Sequence, residues 1–196
     1  MKTNEAELFT IANAQQGYFT TKQAVSCGYV TPNHSYHVST GAWIREYRGI
    51  YRLARFPASP EGHYVIWSLW SRNRQGIPQG VYSHQTALSI HELSDVMPAK
   101  LHLTVPRNFR RNSTLPKILL LHWADLSAGD VKQCQGYRVV RPLRAIADLL
   151  REGIEPSDRL HQALRQALAR GLITRAEINN HPVWKEIESL LKGHRA

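Results

Sequence analysis

Residues 31 to 40 concentrate side chains suited to reading a base edge or holding a phosphate. Projected as a helix at about 100° per residue, Asn33, Tyr36, His37 and Thr40 share one side, and His34 and Val38 share the other, near Gly41. Val38 is the one aliphatic residue of the segment, so its side is expected to pack inward and the polar side to face the major groove. Asn pairs bidentately with adenine, and Tyr, Thr and His reach phosphates or base edges. The segment holds no Arg or Lys, so a merely solvated face competes with this reading, and rotating the helix by one position exchanges His34 and His37. Arg45, Arg48 and Arg52 follow closely and bring the charge the helix lacks, suited to charge-assisted phosphate contacts. Thr20, Thr21 and Lys22 open an earlier helix, whose N-terminal dipole favours a phosphate. Routine surface charge is the alternative for each of these.

A second basic concentration runs from Lys100 to Arg144, where nine Lys or Arg stand against Asp125 and Asp130 alone. Within it, Arg107-Asn108-Phe109-Arg110-Arg111-Asn112 reads as a basic loop around an aromatic, with Arg107, Arg110 and Arg111 as further phosphate contacts or as a solvated loop. Two basic surfaces on one chain imply a steep salt dependence of DNA binding. Catalytic patterns are missing: the chain has no Walker A, HExxH, GxSxG or GxGxxG sequence. Its ten histidines have no metal-site spacing; His34 and His37 lie three apart without a neighbouring carboxylate, and His102 and His122 fall in separate strands. Neither a metal nor another cofactor is expected. Asp130-Val131-Lys132 does supply the acidic-x-Lys half of a Mg²⁺-dependent nuclease site, but such a site needs another acidic residue upstream. Asp125 is only five residues away, and Asp95 is distant.

Composition supports the same partner class. Lys and Arg number 25 against 15 Asp and Glu, a formal net charge of +10 over 196 residues, which favours a polyanion, foremost nucleic acid. Apolar residues at 42% and charged residues at 20% describe a globular chain. The apolar runs 65–70 and 118–121 fall short of the roughly 20 residues of a membrane helix. The start, Met1-Lys2-Thr3-Asn4-Glu5-Ala6-Glu7, has no apolar signal region. Cys27 and Cys134 form no CxxC, which suits a reducing compartment, and a cytoplasmic location is expected.

The elements that would position these residues fall on either side of 54–62, where two prolines and a glycine read as a linker. Residues 1–55 form one expected domain. A helix over 4–14 carries Ala6, Leu8, Phe9, Ile11 and Ala12 on its apolar stripe. A short helix from Thr21 to about Cys27 starts at the Thr20/Gln23 capping box. A third has Thr31 as its N-cap and Pro32 at its first position. A hairpin over 43–53 turns at Arg48-Gly49. Three helices then a hairpin is the order of a winged helix-turn-helix. Residues 62–196 form the second expected domain, a mixed α/β unit ending in helices. Helices are expected at 64–73, 84–93 (capped by Ser83) and from Pro142 to Leu150, and strands at 80–82, 100–105, 118–122 and 137–140. The 100–105 strand alternates polar and apolar as a half-buried strand does. From Ser157 the chain reads as helical, with a Thr174/Glu177 capping box. The fold class is α+β.

These residues also carry a family resemblance. Gly17-Tyr18-Phe19-Thr20-Thr21-Lys22-Gln23-Ala24, then Gly28, Gly41-Ala42-Trp43-Ile44 and Arg48-Gly49-Ile50-Tyr51-Arg52-Leu53, resemble the winged-helix domain of AbiEi-type antitoxins. Residues 82–93, leading to Pro98 and to 101–106, and the segment 141–150 resemble the later part of that family, so the likeness spans roughly 5–150. It implies a transcriptional autorepressor without catalytic activity that binds repeats in its own promoter and acts as the antitoxin of a toxin–antitoxin operon. It further implies a nucleotidyltransferase-like toxin countered without a stable complex, a recognition helix within Thr31–Thr40 and a wing at Arg45–Arg52. Self-association on double-stranded DNA fits cooperative binding through the second domain, and no membrane partner is expected. The alternatives are a Mg²⁺-dependent nuclease using Asp130 and Lys132, and a toxin-binding antitoxin with an ancillary winged helix.

Overall fold

The computed structural model describes residues 4–93, 95, 98–153 and 155–192. Met1–Thr3 and residues 193–196, the end of the segment expected to be helical, lie outside them. The chain is mixed α+β and divides into two compact units, 1–80 with 133–138, and 81–132 with 139–196. The break therefore falls at Gly80 rather than at 54–62. Those residues link two elements of one unit, because the helix that follows them packs on the first sheet.

In the first unit, α1 (Asn4–Asn13) buries Leu8 and Ala12, while Phe9 stays partly exposed. Gly17, at φ +92°, turns the chain into β1 (Tyr18–Thr20), a strand the sequence pattern did not announce. The capping box then forms as spaced: Thr20 Oγ1 accepts from the Gln23 backbone N–H at 3.2 Å, and Gln23 Oε1 accepts from Thr20 N–H at 2.8 Å. It opens α2 (Thr21–Ser26). Residues Thr31–Asn33 make a 3₁₀ turn, so Thr31 is the first residue of that turn and not an N-cap, and α3 (His34–Ser39) follows. β2 (Trp43–Tyr47) and β3 (Ile50–Leu53) form the expected hairpin, with Gly49 at φ +69°. The sheet order is β1-β3-β2, antiparallel throughout. Its core joins Leu8, Ala12, Phe19, Ala24, Cys27, Trp43 and Leu53, with the Phe19 and Trp43 rings edge to face at 4.8 Å. α4 (Gly62–Trp70) completes the unit, and Gly62 meets the Tyr18 ring so closely that only a hydrogen fits there.

The second unit is built on β4 (Val81–Tyr82), β5 (Leu101–Val105), β6 (Leu119–Trp123), β7 (Val131–Gln133) and β8 (Arg138–Val140), in the order β6-β5-β4-β8-β7. β5 runs parallel to β6 and antiparallel to β4. All five β5 residues are buried, so it is not the half-buried strand its alternation suggested: its polar residues His102 and Thr104 face other polar groups inside. α5 (His84–Ile90) and α6 (Pro142–Glu152) pack together, and α7 (Ser157–Ala169), α8 (Arg175–Asn179) and α9 (Trp184–Lys192) end the unit. Among the described residues, no helix is long and apolar enough to cross a membrane.

Candidate nucleic-acid interface and a histidine cluster

Helix α3 is held by its apolar side. His34 is buried with its ring 5.2 Å from that of Trp43 and 5.8 Å from that of Tyr51, and Val38 packs on the same core. That anchoring leaves Asn33, Tyr36 and Thr40 exposed, Tyr36 to 64%. His37 sits between the two sides: its ring stacks on Trp43 at 4.6 Å and is half-buried. The helix is therefore not rotated to exchange His34 and His37. Thr40 Oγ1 donates back to the Tyr36 and His37 carbonyls, which ties its hydroxyl to the helix end.

The hairpin adds Arg45 and Arg48, both exposed, with Arg48 in the turn. Arg52 belongs to the interior. It is 8% exposed, its Nε donates to Glu46 at 2.7 Å, and a further N–H donates to the Phe56 carbonyl. Thr20 is likewise interior, 1% exposed with its hydroxyl spent on the cap, whereas Thr21 is half-buried and Lys22 exposed. Lys22 Nζ donates to the Arg74 carbonyl at 2.8 Å. Both corrections share one cause: the register of β1 against β3, Thr20 opposite Ile50 and Tyr18 opposite Arg52, turns these two side chains inward.

In the second unit the basic loop is anchored by its aromatic, since Phe109 is buried and offers no stacking platform. Arg107 and Arg110 are exposed and Arg111 is half-buried; Arg107 pairs with Asp125 at 3.5 Å, Arg110 bonds the Phe109 carbonyl and Arg111 bonds Ser113. Asp130 is engaged locally. Burial alone would raise its pKa, but hydrogen bonds from Ser127 and the Arg144 guanidinium outweigh that and hold it below the usual carboxylate range. Arg144 also clasps Asp148, and Lys132 points to solvent. Among the described residues, Asp130 belongs to no group of side chains spaced to hold a metal.

A histidine group does have that spacing. The in-register pairing of β5 and β6 sets His102 opposite Leu120 and Thr104 opposite His122, so His102 and His122 are diagonal neighbours on one sheet face. His102 Nδ1 and His122 Nε2 stand 3.1 Å apart. His84 follows β4 and stacks on His122 at 3.7 Å. Its backbone is left-handed, φ +52°, a conformation that costs a non-glycine residue on the order of 1–3 kcal/mol. Glu152 Oε1, at the end of α6, lies 3.0 Å from His84 Nε2 and 3.3 Å from His122 Nδ1. Ser83 Oγ contacts His84 Nδ1 at 2.9 Å and accepts from Thr104 at 2.8 Å, so Ser83 serves the histidines rather than capping α5. Burial first, then the two neighbouring imidazoles, push His102 down to about 4, and burial lowers His122 as well.

No protein-family model matches the chain, and neither does any curated protein.

Which side chains meet is thus decided by this chain's own geometry. It leaves Tyr36 on α3, Asn33 at its start and Thr40 at its end exposed, withdraws Thr20 and Arg52, and assembles a histidine cluster that linear spacing concealed. The available signal was the period-2 placement of His102 with Thr104; the missing one was that 101–105 pairs with 119–123.

Proposed function

We propose that the first unit is a winged-helix module. In it α2, the 3₁₀ turn and α3 form the helix-turn-helix and the β2–β3 hairpin forms the wing. The protein is then a DNA-binding transcriptional regulator. The observation that carries this reading is α3 with its two ends: Tyr36 on the helix, Asn33 just before it and Thr40 just after it stand exposed, while His34 and Val38 fix the other side. Arg45 and Arg48 lie on the hairpin that follows. Such a helix reads base edges while the wing's guanidinium groups hold phosphates. The net charge of +10 adds a sequence-independent attraction to the duplex.

Division of labour between the two elements is the test. Arg48→Ala weakens binding to promoter and shuffled duplexes alike and lowers the salt slope by about one unit. Asn33→Ala costs about 1–3 kcal/mol on the promoter duplex and leaves the shuffled one unchanged. Equal losses on both duplexes for Asn33→Ala would remove α3 from the groove. The finer role, autorepressor and antitoxin of a toxin–antitoxin operon, rests on the resemblance of residues 5–150 to AbiEi-type antitoxins. It requires that the bound DNA lie in the promoter of the protein's own gene and that the operon encode a nucleotidyltransferase-like toxin.

A further inference from the structure

The histidine cluster has no part in that reading, and its geometry is that of a ligand set. We propose that His84, His102 and His122 form a site for a first-row divalent transition cation, best suited to zinc, with Glu152 as the carboxylate that orients two of the three rings. One nitrogen from each histidine lies within 4.8 Å of the others. Tetrahedral zinc with Zn–N bonds of about 2.0–2.1 Å sets its nitrogens about 3.4 Å apart. The His102–His122 edge, at 3.1 Å, is already near that length, so small ring rotations close the remainder.

The donor set selects the metal. Three imidazoles suit zinc, copper, nickel or cobalt, whereas calcium and magnesium require oxygen ligands. A nitrogen ligand must present a free lone pair, and the three imidazoles each bring one nitrogen within 4.8 Å of the others. Glu152 occupies the place of an outer carboxylate: bonded to one nitrogen of His84 and one of His122, it fixes the tautomer of each ring. The supports are rigid, since two rings come from neighbouring strands and the third from a residue held in a left-handed backbone. His122 at 15% and Glu152 at 35% side-chain exposure leave a path from solvent and room for water as a fourth ligand.

Without a cation, one proton shared by His102 Nδ1 and His122 Nε2 satisfies that pair. On binding, His102 shifts this proton from Nδ1 to its own Nε2, His84 Nδ1 exchanges its contact with Ser83 for the metal, and His102 Nδ1 and His122 Nε2 turn their lone pairs to it. A cluster that serves only as a hydrogen-bonded stack would keep the proton and ignore zinc.

The experiment uses the full-length untagged chain, stripped with a chelator, then titrated with Zn²⁺ against a chromophoric competitor and with Co²⁺ for its visible spectrum. One equivalent of zinc is expected to bind with sub-micromolar Kd, with the intense bands of four-coordinate cobalt. His102→Ala and His122→Ala are each expected to weaken zinc binding by roughly 100-fold or more, and Glu152→Gln by about 10–100-fold. His63→Ala, at an exposed histidine of the first unit, should change nothing. Circular dichroism checks each variant's fold. Should the alanine variants not fold, the cobalt spectrum of the parent chain and the partly exposed Glu152→Gln variant decide. Absence of stoichiometric binding, a six-coordinate cobalt spectrum, or affinity unchanged in folded His122→Ala or in Glu152→Gln would overturn the proposal.

Discussion

Thr20→Ala separates a structural role from a DNA contact at a residue whose sequence position fits both. Its hydroxyl accepts from Gln23 N–H at 3.2 Å, the Gln23 side chain returns a bond to Thr20 N–H at 2.8 Å, and Gln23 Nε2 donates to Gln15 at 3.0 Å. Loss of the cap costs about 0.5–2 kcal/mol. The side chain is 1% exposed, so deleting its methyl group forfeits about 0.8 kcal/mol more. The sum is about 1.3–2.8 kcal/mol, which for a chain of this length lowers Tm by about 3–11 °C at about 2–4 °C per kcal/mol. Thr20→Ser keeps the cap and is expected to recover about half the loss. Thermal melts supply the stability, and fluorescence anisotropy at a temperature where every variant is folded supplies the DNA affinity. Affinity is expected to stay within about twofold of the parent chain, a change under about 0.5 kcal/mol. A Thr20→Ala variant of unchanged Tm that binds DNA tenfold more weakly would refute the assignment of this hydroxyl to the cap.

Arg52→Ala should behave in the same way: it strands Glu46 and the Phe56 carbonyl at a cost of about 1.5–3 kcal/mol in urea melts, while the salt slope of DNA binding stays as it was. Gly136→Ala is expected to destabilise the first unit, because the backbone has φ +85° and the added methyl would lie 3.0 Å from the Val65 side chain and 3.1 Å from Gln15 Cα; an unchanged urea midpoint would contradict that close approach. His91 provides a pH dependence. Burial lowers its pKa, partly offset by its 2.8 Å hydrogen bond to the Val140 carbonyl, so the unfolded chain takes up the proton more readily. This contribution to stability is complete above a pH of about 6.5 and is lost as the pH falls below it. Urea midpoints should therefore decline from about pH 7.5 to 5.5, less so in His91→Gln, and an equal decline in that variant would remove His91 as a cause.

Local signals were readable where the chemistry is local. The Thr20/Gln23 and Thr174/Glu177 capping boxes, the Arg48-Gly49 turn and the inward side of α3 all follow from residues within a few positions of one another. What escaped depends on pairing between distant segments. β1 is a three-residue strand created by its partner β3, and that pairing carried Thr20 and Arg52 into the interior. The pairing of β5 with β6 brought His102 to His122 across twenty positions, and the left-handed turn at His84 completed the group. The 54–62 segment has a linker's composition, yet the contact of Gly62 with Tyr18 holds α4 in the first unit.

The central claim, sequence-selective DNA binding, is tested most directly by fluorescence anisotropy on the duplex immediately upstream of the protein's own gene, against a shuffled duplex, across a salt series. Lys22, Arg45 and Arg48 are the exposed cations of the proposed interface, so each bound copy should give a slope of about −3 in log K against log salt. The account predicts a preference for the native duplex that survives physiological salt. Equal affinity for both duplexes, collapsing together as salt rises, would reduce the +10 charge to a non-specific attraction and contradict it.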